Sequence, residues 1–426
     1  MKMQSYKIAI IGLGTVGMAV AKKLEEHKKS LEQKTGIEIE IKKAIVRDVS
    51  KYPPLPFELS ERLEDVLEDD EISMVVELIG GVEYPFEIAK KVFEKGKAFV
   101  TANKAMIAFH SKELMELCKG LPFGFEASVC GGIPIIEVFR DSLSANEILG
   151  FEGILNGTSN FILTQMFEKK QDFFTALCEA QRLGYAESNP SLDINGGDAG
   201  HKLLILAKMA YGIDVGFDDI LIEGIEGVKL EDLQCADELG YCIKLLGIAK
   251  KENELLDLRL HLALIPKGGN LSSINGVKNA INLKGDCVGE LFLCGLGAGG
   301  DATASSVIAD IVHIVRLRES KVYPTPAFGY FSSNSSLKLK AKGEISSKYY
   351  LRFEVSDRLG ALAEISSILA DSEISVSEIV QKSNGERALI SLITHLAKEE
   401  KMQKALSKIA KLDCMLQTPY KIRIYE

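Results

Sequence analysis

The stretch Tyr6-Lys7-Ile8-Ala9-Ile10-Ile11, followed at once by Gly12-Leu13-Gly14-Thr15-Val16-Gly17, decides how the rest of the chain is read. A short apolar run ending in Gly-x-Gly-x-x-Gly, with a helical pattern behind it, is the strand–turn–helix context in which this spacing binds a dinucleotide. Gly12 permits the tight turn, Gly14 leaves room for a pyrophosphate near the backbone, and Gly17 lets the helix pack on the strand. The helix N-terminus then offers amide donors and a partial positive charge to phosphate. The alternative is a glycine-rich turn without a ligand.

Working outward, apolar runs predict strands at 37–46, 74–79, 98–101 and 123–129, with helices at 85–95 and 105–119 between them. Alternation of this kind predicts a parallel sheet with right-handed crossovers. The second strand ends at Arg47-Asp48, with Lys51 close behind. An acidic residue there would bind a ribose 2′-hydroxyl and a cation a 2′-phosphate. Two cations around one anion lean toward NADP, with NAD possible; the bland reading is a surface charge cluster.

From about residue 140 the pattern changes. A strand at 147–155 leads into Asn156-Gly157-Thr158-Ser159, and helices are expected near 158–168, 173–183, 198–211 and 231–250. Strands follow at 255–265 and 287–294, then a helix at 302–318. Residues 332–347 are rich in Ser, Lys and Gly and read as a linker. The remainder reads strand 349–355, helix 359–371, strands 375–381 and 388–394, helix 398–411 and strand 420–425, a βαββαβ ferredoxin-like order.

The chain has 426 residues, enough for two to three domains. With 51 basic and 60 acidic residues its net charge is −9, so it lacks the basic footprint of a nucleic-acid binder. No apolar run reaches membrane-spanning length, and no signal-peptide pattern opens the chain. Eight cysteines without a Cys-x-x-Cys pair predict reduced, mostly buried thiols in a cytoplasmic protein. Six histidines without His-Glu-x-x-His give no reason to expect structural zinc.

The candidates for chemistry lie in two places. Lys104 follows a strand at the carboxyl edge of the expected sheet, where such sheets bind ligands; a solvated loop lysine would look the same. Gly184-Tyr185-Ala186-Glu187, then Asp193, then Gly197-Asp198-Ala199-Gly200-His201-Lys202 is richer. Asp198 and Lys202 are four apart and share one helix face. The helix continues as Leu203-Leu204-Ile205-Leu206-Ala207, apolar nearly all round and therefore buried. Buried charges are costly unless paired, so the group reads as functional rather than as a surface ion pair, with His201 structural. A lysine ammonium can supply the proton and positive charge that a carbonyl needs on reduction, and Glu187, Asp193 and Asp198 can hold a substrate ammonium.

At these residues the sequence closely resembles the homoserine dehydrogenase family. The matching stretches are Gly12 to Gly17, Thr101-Ala102-Asn103-Lys104-Ala105, Phe125-Glu126-Ala127-Ser128-Val129, Gly153 to Asn160, Gly184 to Lys202 and the turn Gly297-Ala298-Gly299. The resemblance implies NAD(P)-dependent interconversion of L-aspartate 4-semialdehyde and L-homoserine, in threonine, methionine and isoleucine biosynthesis. It implies that Lys202 is the proton donor and acceptor, and that Lys104 contacts the cofactor near the reacting carbonyl. Glu187 would bind the substrate amino group, with Asp193 and Asp198 in the same polar site. Thr15, Val16 and Gly299 would join the glycines and Arg47 around the cofactor. A structural sodium ion would take the Glu126 side chain and the carbonyls of Val129, Gly131 and Ile133.

The resemblance further implies an α/β and α+β architecture. A Rossmann-type domain would span 1–140, with 300–331 returning to it. A mixed catalytic and dimerisation domain would follow at 141–299, then the linker 332–347 and an ACT domain at 348–426. Asp357-Arg358-Leu359-Gly360-Ala361-Leu362 matches the first turn of an ACT domain, which implies L-threonine as an effector; a module that only dimerises is the alternative. Homodimer and homotetramer both fit. No aspartate kinase region precedes the dehydrogenase, so a monofunctional chain is expected. Ala302, Gly200 and Leu359 depart from the Pro, Ala and Pro common in the family, which touches loop shape rather than a reacting group. Two rivals stand beside this reading: another amino-acid or sugar dehydrogenase, and a non-catalytic amino-acid sensor.

Overall fold

The computed structural model describes residues 5–118, 120–320 and 326–425. Met1 to Gln4, the expected helix end at Lys119 and residues 321–325 of the 300–331 return lie outside the described residues. The chain forms two compact units. The first comprises residues up to Ile148 with His201–Phe217 and Lys284–Ser335; the second comprises Leu149–Gly200, Asp218–Leu283 and residues from Ser336 onward.

In the first unit the strands lie in the order Glu58–Ser60, Glu38–Ile45, Ser5–Ile11, Ile72–Glu77, Ala98–Thr101, Phe123–Gly124, all parallel. The strand order reverses beside Ser5–Ile11, and such a switch point opens a crevice at the carboxyl ends of the strands. Ile8, Ile10, Met74, Val76 and Val100 fill the core under it, and helix Gly300–Ser320 adds Ala304, Val307, Ile311 and Val315. Strands buried on both faces read as continuous apolar runs, which is why their positions are plain in the sequence. The last strand is shorter than expected: it stops at Gly124, and Glu126–Ser128 forms a 3-10 turn. The buried Asp310 carboxylate accepts the Glu126 N–H at 2.8 Å and draws the chain out of the sheet.

In the second unit the neighbours run Lys278–Gly285, Ile148–Ile154, Tyr241–Glu252, Leu255–Pro266, Tyr420–Ile424, Ser346–Ser356, Arg387–Thr394, Val376–Asn384. The last four, with helices Ala361–Asp371 and Glu399–Ile409, make the βαββαβ module, whose own core gathers Phe353, Ile365, Leu369, Ile390 and Met402. Its final strand also pairs in parallel with Leu255–Pro266, Ala263 opposite Arg423 and Leu264 opposite Ile424. The module therefore extends the sheet of its neighbour.

The helix expected at 231–250 is corrected. Only Leu230–Glu238 is helical; Gly240 (φ 83°) turns the chain and Tyr241–Glu252 is a strand. Its run Ile243 to Ala249 is buried on both faces, so it shows no alternation to separate strand from helix. The Ser/Lys/Gly-rich stretch is tied down, since Lys338–Leu339 pairs with Leu255 and Leu256. All eight cysteines are free; Cys118, Cys130, Cys235 and Cys414 are buried, whereas Cys178, Cys287 and Cys294 are exposed, against the expectation of mostly buried thiols.

Candidate active site

The glycine loop has the shape its sequence demands. Gly12 sits at φ 95°, and a Cβ there would lie 2.6 Å from Ile79 Cγ2. A Cβ on Gly17 would lie 2.0 Å from the Gly12 carbonyl oxygen, so the helix Thr15–Glu26 can approach only without one. Gly14 faces open space and caps that helix without a side chain, leaving the end of the helix to an outside anion. Thr15 is exposed and Val16 half-buried against the core. Gly300 packs on Thr15, its Cβ position 3.3 Å from Thr15 Cγ2, which brings the turn containing Gly299 (φ 114°) to the glycine loop.

A second network shapes the same edge. Glu77, wholly buried at the end of its strand, accepts the Ile79 N–H at 2.7 Å and the Thr101 hydroxyl at 2.5 Å. Thr101 Oγ1 accepts the Asn103 N–H at 2.9 Å. Asn103 donates to the carbonyls of Ile79 and Gly81 and caps Met106 through its oxygen. Lys104, half-buried, is then the first residue of helix Lys104–Cys118. Burial pushes the Glu77 carboxyl up to about 7, against the pull of its two neutral donors. Its role as the anchor of this edge was not read from the sequence, although an acid inside the apolar run 74–79 was the available signal.

Arg47 is exposed, while Asp48 is engaged: its Oδ1 accepts the N–H (3.0 Å) and hydroxyl (2.6 Å) of Ser50, and Lys51 lies 3.4 Å away. These hydroxyl and amide donors hold its carboxyl below the usual range.

In the second unit the loop and helix residues converge on Asn156. This residue is 4% exposed and caps helix Gly157–Lys169, its Oδ1 accepting the Ser159 N–H at 2.7 Å. Its Nδ2 donates to Asp193 Oδ1 at 2.7 Å and to Asp198 Oδ2 at 2.8 Å. Ser159 and Thr158 hydroxyls tie down the carbonyls of Asp193 and Tyr185. The structure thus brings Asp193 and Asp198 together, while Glu187 is exposed and its carbonyl accepts from Gln181 Nε2 at 3.1 Å. Helix Gly197–Tyr211 carries Asp198 in its second-unit part and Lys202 in its first-unit part, four residues on, each 7% exposed. In the first unit, His201 packs its ring against Phe109 and Phe217, both at 5.1 Å.

Glu126 is 3% exposed, and its two oxygens accept the N–H groups of Ile136 and Glu137 at 2.8 and 2.7 Å. Burial pushes its carboxyl up to about 7. The chain then turns through Cys130 and Gly131, both at positive φ, and the Gly131 carbonyl accepts the Ser306 hydroxyl at 2.6 Å. The buried Glu126 carboxylate and the backbone carbonyls of the adjoining turn are oxygen donors of the kind a hard cation takes, although its oxygens also accept two backbone N–H groups and Arg140 acts on it from nearby.

A parallel sheet with an open glycine loop, a lysine at its carboxyl edge, and a buried helix bearing Asp198 and Lys202 define an NAD(P)-dependent oxidoreductase. Family models agree segment by segment: the homoserine dehydrogenase NAD-binding domain at residues 12–120, homoserine dehydrogenase at 134–312 and the ACT domain at 349–414. The chain belongs to the homoserine dehydrogenase family. It is 51% identical over 419 residues to homoserine dehydrogenase of Helicobacter pylori, covering 98% of both chains. It is 40% identical over 439 residues to that of Pseudomonas aeruginosa, covering 99% of both. The crystal structure of a homoserine dehydrogenase from Thiobacillus denitrificans matches with a TM-score of 0.94 at 40% identity, over 100% of this chain and 99% of that one. A hyperthermophilic archaeal homoserine dehydrogenase mutant, solved in complex with NADPH, matches 75% of this chain and 99% of its own at a TM-score of 0.63 and 26% identity. Among the described residues no helix is long and apolar enough to cross a membrane.

Proposed function

We propose that the chain reduces L-aspartate 4-semialdehyde to L-homoserine, and the reverse, with Lys202 as proton donor and acceptor. The observation that carries this is the pair Asp198 and Lys202, four residues apart and both buried on helix Gly197–Tyr211. A bound nicotinamide supplies the hydride. Lys202 delivers the proton to the carbonyl oxygen as it gains negative charge, and Lys104 adds positive charge beside it. Asp193, Asp198 and Glu187 receive the substrate ammonium.

We assign the cofactor as NADP. The Asp48 carboxylate is engaged by Ser50 and Lys51, which leaves exposed Arg47 as the group for a 2′-phosphate. Gly12, Gly14, Thr15, Val16, Gly17 and Gly299 would line the pyrophosphate. A sodium ion would be held by Glu126 and the carbonyls of Val129, Gly131 and Ile133, its charge compensating the buried carboxylate. The division into 1–140 with 300–331, 141–299, a 332–347 linker and 348–426 belongs to the same reading. So do threonine control through the ACT domain, a role in threonine, methionine and isoleucine biosynthesis, a cytoplasmic location, and a homodimer or homotetramer.

The test is oxidation of L-homoserine with NADP or NAD, followed by absorbance of the reduced nicotinamide. Turnover with NADP preferred is expected; no turnover with either cofactor refutes the reading. Lys202→Met should lower kcat by about 10²–10⁴-fold, the usual worth of a positioned acid–base group, with cofactor binding retained. Normal kcat in that variant removes Lys202 from the proton-transfer step.

A further inference from the structure

We infer that Asn156 is a positioning residue for substrate binding: its amide sets the spacing of Asp193 and Asp198 and so preforms the anionic pocket for the substrate ammonium. The inference rests on the reading above that these carboxylates receive an ammonium group.

The hydrogen bonds fix the amide without ambiguity. One face of the Asn156 side chain meets the Ser159 N–H, a donor, so the oxygen must lie there. The NH₂ group must then face the carboxylates, and its two hydrogens are both used, on Asp193 at 2.7 Å and Asp198 at 2.8 Å. Two carboxylates from different segments, one on the short helix Ser191–Ile194 and one at the start of helix Gly197–Tyr211, are thereby held against a single nitrogen. Like charges so close repel. The NH₂ group holds both carboxylates toward one point and offsets part of that repulsion, and a primary ammonium, with three donors, can likewise donate to both.

Other side chains at this position would do only part of the work. Ser can still cap the helix, because its hydroxyl accepts an amide N–H as readily as Asn does. It carries one hydrogen and cannot donate to two carboxylates while capping. The capping role and the clamping role are therefore separable by mutation, which a residue with a purely structural function would not allow. The surrounding backbone is also fixed: the Leu155 carbonyl accepts from Asn279 at 2.9 Å, and a Cβ on Gly157 would lie 2.6 Å from the Val277 carbonyl oxygen. The loop cannot drift to restore the lost contacts.

The experiment compares wild type with Asn156→Ser, each as the full chain, without nicotinamide for the binding measurement and with saturating NADP for the kinetics. Three quantities are read: calorimetric affinity for L-homoserine, the split of KM from kcat, and the thermal midpoint. The expected result is a 10–100-fold loss in L-homoserine affinity and a matching rise in its KM. KM for NADP and the thermal midpoint stay near wild type. Unchanged L-homoserine affinity in Asn156→Ser overturns the inference, as does L-homoserine binding to neither protein. A lower thermal midpoint with unchanged affinity also overturns it, leaving Asn156 as a helix cap. If wild type binds L-homoserine, Asn156→Ser binds it weakly and neither turns it over, the positioning role stands and the dehydrogenase reading falls.

Discussion

Two buried acids, Glu77 in the first unit and Glu399 in the second, are 0% and 4% exposed and meet opposite fates. Among the described residues Glu77 is met by a hydroxyl and an amide, and burial pushes it up to about 7. Burial would raise Glu399 too, but the Arg423 guanidinium and the Lys421 ammonium outweigh it and hold the carboxyl at about 2. Arg423 donates through Nε to Glu399 at 3.0 Å and grips Glu223 with both terminal nitrogens at 2.6 and 3.1 Å; Tyr349 adds its hydroxyl to Glu399 at 2.7 Å. Burial alone therefore does not decide the charge of an acid; its partners do. The two partner sets also serve different ends. Neutral donors around Glu77 shape a turn at the cofactor edge. The ion cluster around Glu399 joins the ACT domain to the segment at Glu223.

Breaking the charged set should have the largest effect. Arg423→Met leaves Glu399 and Glu223 without their guanidinium, one of them deeply buried. Removing one partner of a buried ion pair costs about 3–5 kcal/mol. Urea unfolding should report a loss of that size, and a loss below about 1 kcal/mol would show that the cluster contributes little. The sign of its pH dependence follows from the depressed carboxyl: the Glu399 contribution is present above about pH 4.5 and fades as pH falls toward 2.

Glu77 should behave in the opposite sense. Its folded-state carboxyl titrates near 7 against 4.5 when unfolded, so between those values the folded state holds a proton that the unfolded state has lost. Stability then falls as pH rises from about 4.5 to 7 and levels off above. The full span is about 3 kcal/mol at one pKa unit per 1.36 kcal/mol. Glu77→Gln removes this titration, and the difference in unfolding free energy between variant and wild type should grow across that range. A difference independent of pH would show that Glu77 is ionised throughout.

How much of this was visible in the sequence follows the same division between backbone and side-chain networks. The glycine loop was readable because its glycines are required by local sterics: Gly12 and Gly17 have backbone within 3 Å of any Cβ. The parallel strands were readable as apolar runs. Tyr241–Glu252 was not, because burial on both faces erases the alternation that marks a strand. Asp198 and Lys202 announced themselves by their four-residue spacing before an apolar helix. Asn156, Asp193 and Asp198 meet across 37 and 42 residues of chain, and the Arg423–Glu223 contact spans 200, separations at which no local pattern operates.

The ion cluster of the second unit also adjoins the loop that carries Asp193, and this gives a finer test of the contrast with Glu77. Glu223, held by Arg423, precedes Gly224, and a Cβ on Gly224 would lie 1.9 Å from the Ile194 carbonyl oxygen. The Ile225 N–H donates to that same oxygen at 2.8 Å. Ile194 follows Asp193, so the segment tied to the ACT domain lies directly against the loop that presents an Asn156-bound carboxylate. Gly224→Ala must push the two backbones apart. Overpacking of this kind costs about 1–3 kcal/mol, less than loss of Arg423. Its functional signature should be a several-fold rise in KM for L-homoserine with KM for NADP unchanged, measured by steady-state kinetics. An equal rise in both would mean that the shift spreads beyond the loop. No rise in either would mean that the loop absorbs the added methyl without moving Asp193, and that the ion cluster anchors the ACT domain without reaching the substrate.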